Sequence, residues 1–254
     1  MRRPSRRGLL KLGIIGIVLA VVGVVGGPYV YIHFIKEPAP KPLSFDSLQP
    51  TGPTATTATT AASAPSVASP VTTAATGAGV IDFAGTWTVA QPSQAGYRVK
   101  EILFGQDTEG VGRTDKVDGT MTIAGDAVTA GEFNVDLATV ASDQTRRDNQ
   151  FRTRLMNTEE FPVATYTIVE PIDLAAAGSG AGLTTKVVGT LSLRGVEKPV
   201  TVDVSAQRSG AVIQVTGSAD IVFADFGIPD PSNAAVSTQN HGKFEFAITL
   251  AKSP

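Results

Sequence analysis

The side chains able to do chemistry are few, and most of them crowd into residues 146–166, RRDNQFRTRLMNTEEFPVATY. Four arginines (Arg146, Arg147, Arg152, Arg154) share this stretch with Asp148, Glu159 and Glu160. Guanidinium forks suit phosphate or carboxylate, and Arg98, Arg113 and Arg194 are further cations outside it. Cysteine is absent, which removes thiolate nucleophiles, disulfides and cysteine metal sites. The two histidines, His33 and His241, stand in no metal-ligand spacing, so neither a metal nor a cofactor is expected. His33 reads as a residue of a membrane interface, His241 as a turn. Asp107, Glu109, Asp115 and Asp118 read as an acidic loop. Paired carboxylates can do acid–base work, but a solvated loop is the preferred reading. Gly105, Gly110, Gly112 and Gly119 open no helix and make no phosphate loop. The tripeptide Asp225-Phe226-Gly227 lacks every accompanying kinase signature and reads as a loop. No base–nucleophile pair is visible, and no catalytic residue is assigned.

The elements that must position these groups are mostly strands. The arginine-rich stretch alone has helical spacing, with Phe151, Leu155 and Met156 on one face. Pro162 is expected to stop that helix. Such an insert between strands is either a lid on a barrel or a solvated connector. Around it, short alternating segments recur between Gly, Asp and Pro punctuation. Trp87 and Val89 alternate in 86–90, and Tyr97 and Val99 face away from Arg98 and Lys100. Phe133, Val135 and Leu137 alternate against Asn134 and Asp136, and Tyr166 pairs with Ile168. Phe223 ends the 211–223 segment. The last strand is clearest, with Phe244, Phe246, Ile248 and Leu250 on one side. Eight or more antiparallel strands, each with one apolar face, predict a closed barrel or a sandwich. A barrel of about eight strands can hold one small ligand.

Four segments follow from composition. Residues 1–11 form a basic tail, expected in the cytoplasm. Residues 12–35 are an apolar run long enough, at roughly 36 Å as a helix, to cross a bilayer. The positive-inside rule then puts all that follows outside the cytoplasm. The bulky residues after the run do not make a cleavage site, so an uncleaved anchor is expected. Residues 36–79 are rich in Pro, Thr, Ala and Ser and read as a disordered linker. Extended, about 40 such residues reach on the order of 120 Å, a spacer holding the folded domain, residues 80–254, away from the membrane. The net charge of −2 divides into +5 before residue 47 and −7 after it. The acidic remainder argues against nucleic acid as a partner.

The ordered pieces of the folded part resemble the YceI family of lipocalin-like barrels. A GTWTVA strand leads to the turn Gln91-Pro92-Ser93. Val111-Gly112-Arg113 follows, then Arg147-Asp148-Asn149-Gln150-Phe151-Arg152 and Glu160-Phe161-Pro162. LSLRGVEKPVTVDV (191–204), Asp225-Phe226-Gly227 and GKFEFAITL complete the series. The resemblance runs from about residue 83 to residue 252. Pro92 departs from it, standing where members often carry a histidine before the serine. The membrane anchor and spacer depart from it too.

The resemblance implies an all-β, eight-stranded antiparallel barrel with a short helix. Its apolar interior would bind a long-chain amphiphile such as a polyisoprenoid, without catalysis and without a cofactor. On that reading Phe151, Leu155 and Phe161 shape the mouth. Trp87, Tyr97, Val99, Phe133, Val135, Tyr166, Phe223, Phe244 and Phe246 line or pack the interior. Arg98, Arg113, Arg147 and Arg152 are the candidates for a head group. The alternative is an interaction module, a filled barrel on a stalk that contacts envelope partners. A third reading, a hydrolase or isomerase using Asp148 or the acidic loop, has the least support.

Overall fold

The computed structural model describes residues 38–49, 83–103, 105–175, 182–233 and 236–254. The strands are β1 (Gly85–Leu103), β2 (Gln106–Thr114), β3 (Val117–Ala124), β4 (Ala127–Asp136) and β5 (Ala141–Ser142). A helix α1 (Thr145–Gln150) intervenes, and β6 (Val163–Ile168), β7 (Ile172–Asp173) and β8 (Leu183–Leu193) follow. β9 (Val196–Ser209), β10 (Val212–Val222), β11 (Val236–Thr238) and β12 (His241–Lys252) complete the chain.

Eight of these close a ring in the order β1-β3-β4-β6-β8-β9-β10-β12 and back to β1. Every pairing in it is antiparallel. The barrel expected from the alternation is therefore the one observed. Closure removes the open edges that a sandwich would leave. β1 is long enough to serve two neighbours on one side: its first part pairs with β3 and its last part with β2. The two short strands expected at 86–90 and 97–104 are one strand with a bulge between Ala90 and Gln94. Ser93 is fully buried there. Its hydroxyl donates to Ala90 O at 2.6 Å and accepts from Thr249 N at 2.9 Å. Thr249 Oγ1 donates to Pro92 O at 2.7 Å. The bulge is thus fastened to β12 by hydrogen bonds that satisfy otherwise unpaired backbone groups.

Three expectations need correction. The helix does not run to Pro162. After α1 the chain widens into a π turn, Phe151–Leu155, with Met156 N bonded to Phe151 O at 2.8 Å. Asn157, at φ 51°, then ends it, because a left-handed residue breaks the helical ladder and asparagine tolerates that conformation. The acidic loop is not a loop. Asp107 and Glu109 lie on β2 and Asp118 on β3, and only Asp115 falls in the connection.

The expected linker is the third correction. Residues 38–49 lie on the barrel's outer wall as a strap, ending in a 3-10 turn at Phe45–Leu48. Leu43 and Leu48 pack on Ala247, whose exposure is 0%. The rest of that linker, and the expected transmembrane helix, lie outside the described residues. Among the described residues no helix is long and apolar enough to cross a membrane.

Candidate binding site

The barrel interior is a cavity in two chambers. The larger, about 1110 Å³, is walled almost wholly by apolar side chains, among them Met121, Phe133, Tyr166, Val202, Phe246 and Ile248. The smaller, about 370 Å³, lies under the helical segment and is walled by Tyr97, Val99, Phe151, Leu155 and Phe223. Val135, Ala164, Leu191 and Phe244 belong to both walls, so the chambers meet at these four residues. The period-2 alternation of strands generates this lining.

The helical segment caps one end of the barrel. Phe151, 5% exposed, stacks on Tyr97 with centroids 5.1 Å apart and planes 14° off parallel. Such a pair contributes roughly 1 kcal/mol beyond its area. Of the two readings of the insert, the structure selects the lid. The segment's start is held by Asp148, which accepts from Ser142 N at 2.8 Å and Ser142 Oγ at 2.6 Å. Asp148 is thereby committed to fastening the start of the segment.

Polar groups border the smaller chamber on the helical segment and on the strands beside it, among them Gln144, Gln150, Thr238 and Lys243. Arg147 lines it, and so does Glu101. Arg147 Nη2 donates to Glu101 at 3.3 Å, and Nη1 donates to Asp143. Burial works against the Arg147 charge, but Glu101 and Asp143 more than offset it, and its pKa is raised. The Tyr97 phenol beside this group is pushed up, first by burial. Exposed Arg146 also borders this chamber and makes no ion pair with a described residue. In the larger chamber Tyr166 reaches across Gly189, where any Cβ would collide with its ring. Its hydroxyl donates toward Val187 O at 3.0 Å and Val200 O at 3.1 Å. Burial pushes its pKa up to about 12.

The residues expected from sequence to line the interior divide cleanly. Tyr97, Val99, Phe133, Val135, Phe151, Leu155, Tyr166, Phe223, Phe244 and Phe246 wall one or both chambers. Trp87 is buried but walls neither, and its indole N–H donates to Phe83 O at 2.9 Å. Phe161 lies outside, packed against Gly195.

Of the four candidate arginines only Arg147 reaches the cavity. Arg98 and Arg113 point out of the barrel. Arg98 pairs with Glu109 at 2.5 Å and Glu245 at 3.4 Å. Arg113 pairs with Glu245 at 2.8 Å. Both also donate to the strap, Arg98 to Pro40 O at 2.6 Å and Arg113 to Lys41 O. Arg152 donates to Asn149 Oδ1 at 3.0 Å and Val140 O at 3.4 Å and borders neither chamber. Glu101 was not foreseen, yet its position was legible. It has the same parity along β1 as Tyr97 and Val99, so it had to face inward.

Among the described residues no group of three or more His, Asp or Glu side chains could hold a metal. The arrangement offers an apolar tunnel with polar groups at both ends, Arg147 and Glu101 under the helical segment and Asp126, Gln207 and Arg208 at the far end of the larger chamber.

Comparison with known proteins agrees with the fold. A polyisoprenoid-binding domain from Saccharophagus degradans, implicated in plant cell wall breakdown, superposes with a TM-score of 0.54 at 22% identity. It covers 67% of this chain and 99% of its own. Burkholderia cenocepacia BcnA gives a TM-score of 0.48 at 16% identity, covering 61% of this chain and 95% of its own. A UPF0312 protein of Shewanella denitrificans is 31% identical over 131 residues, which is 46% of this chain and 63% of that relative. Residues 87–250 match the YceI-like domain, well over half of the chain, and the chain therefore belongs to the YceI-like family.

Proposed function

We propose that this protein is a non-catalytic binder of a long-chain amphiphilic lipid of polyisoprenoid type. In this reading the chain of the lipid occupies the two-chambered tunnel, and its head lies by Arg147, Glu101 and exposed Arg146. The observation that carries it is the tunnel itself, apolar along its length with the paired Arg147 and Glu101 at its helix-capped end. Burying about ten methylenes there contributes roughly 8 kcal/mol gross, before the cost of association. The name of the Saccharophagus domain supports the same ligand class. A cavity of this size speaks against a filled barrel that serves only as an interaction module. We further assign the domain to the outer side of a cell membrane, held by residues 12–35 as a single uncleaved span.

The test is lipid extraction and native mass spectrometry on the full chain. A co-purifying amphiphile near one-to-one supports the proposal. A protein that carries none and rejects an added polyprenol contradicts it.

A further inference from the structure

The strap changes what the apolar segment before it can do. As a spacer, residues 36–79 would let the barrel float far from a bilayer in any orientation. Instead the chain is fastened to the barrel by Pro40 and Lys41, only a few residues after the run 12–35 ends. Its first contact is with Arg98. Arg98 is the neighbour of Tyr97, on whose inner side Phe151 stacks. The strap therefore begins on the wall directly behind the helix-capped end.

Distances then decide the orientation. From Ile35 to Pro40 is five residues, at most about 18 Å of chain. From Arg98 to the far end of β1 at Gly85 is thirteen residues, roughly 40 Å along the strand and on the order of 30 Å along the axis of a tilted barrel. Five residues cannot bridge that gap. The end bearing the 125–126 and 209–212 turns is thus out of reach of a bilayer that holds residues 12–35, and the helix-capped end is within reach.

A second observation agrees. Among the described residues, large apolar side chains that are exposed are few: Ile102 at 47%, Val163 at 45%, Val169 at 56% and Val222 at 41%. Ile102 lies at the end of β1, Val222 at the end of β10 and Val163 at the start of β6, all on the helix-capped rim. Only Val169 lies toward the opposite end. Around the ring β6 is three strands from β1 and three from β10, so the three residues surround the rim and do not mark one side wall. That distribution suits an end placed on a lipid surface and does not suit a barrel lying on its side.

We propose that the helix-capped end of the barrel rests on the bilayer, set there by the strap, so that the smaller chamber opens toward the lipid. A lipid chain then passes between membrane and tunnel without crossing water, and the π turn and the Phe151–Tyr97 stack form the gate. This rests on the membrane assignment made above and specifies which end of the molecule meets the membrane.

The absence of cysteine makes the test direct. Single-cysteine variants of the full chain at Ile102→Cys, Val163→Cys and Val222→Cys report the helix-capped rim. Val169→Cys and Ser209→Cys report the opposite end. Each is labelled with an environment-sensitive fluorophore in vesicles of phosphatidylethanolamine and phosphatidylglycerol carrying doxyl lipid. Quenching is expected to be several-fold greater at the rim than at the opposite end. The double variant Leu43→Asp, Leu48→Asp should bring the two ends toward parity while the protein still floats with vesicles. Equal quenching at both ends of the unaltered strap overturns the orientation and leaves the anchor standing. Failure to float with vesicles overturns the anchor and the orientation together. Neither result bears on whether the tunnel binds lipid, which the extraction experiment reads.

Discussion

The two faces of the β1–β12 wall are built from adjacent residues and do opposite things. Inward, Tyr97, Val99, Phe244 and Phe246 wall the cavity. Outward, the residues between them form a charged cluster: Glu245, 2% exposed and 9% for Arg98, with Arg113 and Glu109 around them. An outer barrel face is normally solvated. Here the strap covers it, so Glu245 is as deeply buried as the core while its carboxylate is held by two guanidinium groups. The inner face tolerates exchange of its contents, because apolar contacts are non-directional. The outer face does not, because removing one member of a buried ion pair strands the others. The wall therefore joins an adaptable lining to a rigid latch.

The contrast can be broken from either side. The largest effect is expected outside. Glu245→Gln leaves buried Arg98 and half-buried Arg113 short of charge and should cost about 3 kcal/mol, read by chemical denaturation of the full chain. It should also speed amide exchange in residues 38–49, because the strap's carbonyls share those arginines. Next comes the strap's own apolar contact. Leu48→Ala removes a side chain 3% exposed and should cost about 2 kcal/mol, with a scan of thermal unfolding as the check. Undocking of the strap limits the loss, so a cost near that of a central core leucine would mean the strap is integral to barrel folding.

Inside, the effects are on ligand. Arg147→Met removes the paired cation from the helix-capped end and should weaken an amphiphile's binding about tenfold, near 1.4 kcal/mol, in a fluorescent-lipid titration. An unchanged affinity would move the head group elsewhere. The smallest effect is alkaline. Folded Tyr166 titrates at about 12, above the ordinary tyrosine value of roughly 10. The folded state then holds a proton that the unfolded chain has lost, so stability is present below about pH 10 and falls as pH rises toward 12. Tyr166→Phe should flatten part of that fall in a pH series of melting temperatures. It should also cost about 1 kcal/mol at neutral pH through the lost hydrogen bonds.

Much of this was legible in the sequence, because alternation records which way each residue points. The strand ending in Phe244, Phe246, Ile248 and Leu250 was read correctly on that basis, and so was closure into a barrel. The same alternation already set Arg98 against Tyr97 and Val99. Assigning Arg98 to a head group inside the barrel ignored its own parity, and Glu101 was overlooked for the same reason. The strap was hidden differently. Averaged over residues 36–79, composition is that of a disordered chain, while Leu43 and Leu48 around the Ser44–Ser47 capping turn are a local exception that averaging removes. The end of the helix at Asn157 was masked by a stronger nearby signal, Pro162. Periodicity says nothing about what covers an outer face, and so the charged latch emerged only with the fold.

The most direct test of the central claim is photocrosslinking of the full chain with a diazirine-bearing polyprenol, comparing it with Val135→Trp. Val135 lies where the two chambers meet, so an indole there obstructs the passage between them. The account predicts adducts on the chamber walls, on peptides carrying Phe133, Phe151 or Phe244. In the blocked variant they should disappear from the larger chamber while its melting temperature stays close to that of the parent. Adducts confined to the outer surface, or labelling that ignores the block, would contradict it.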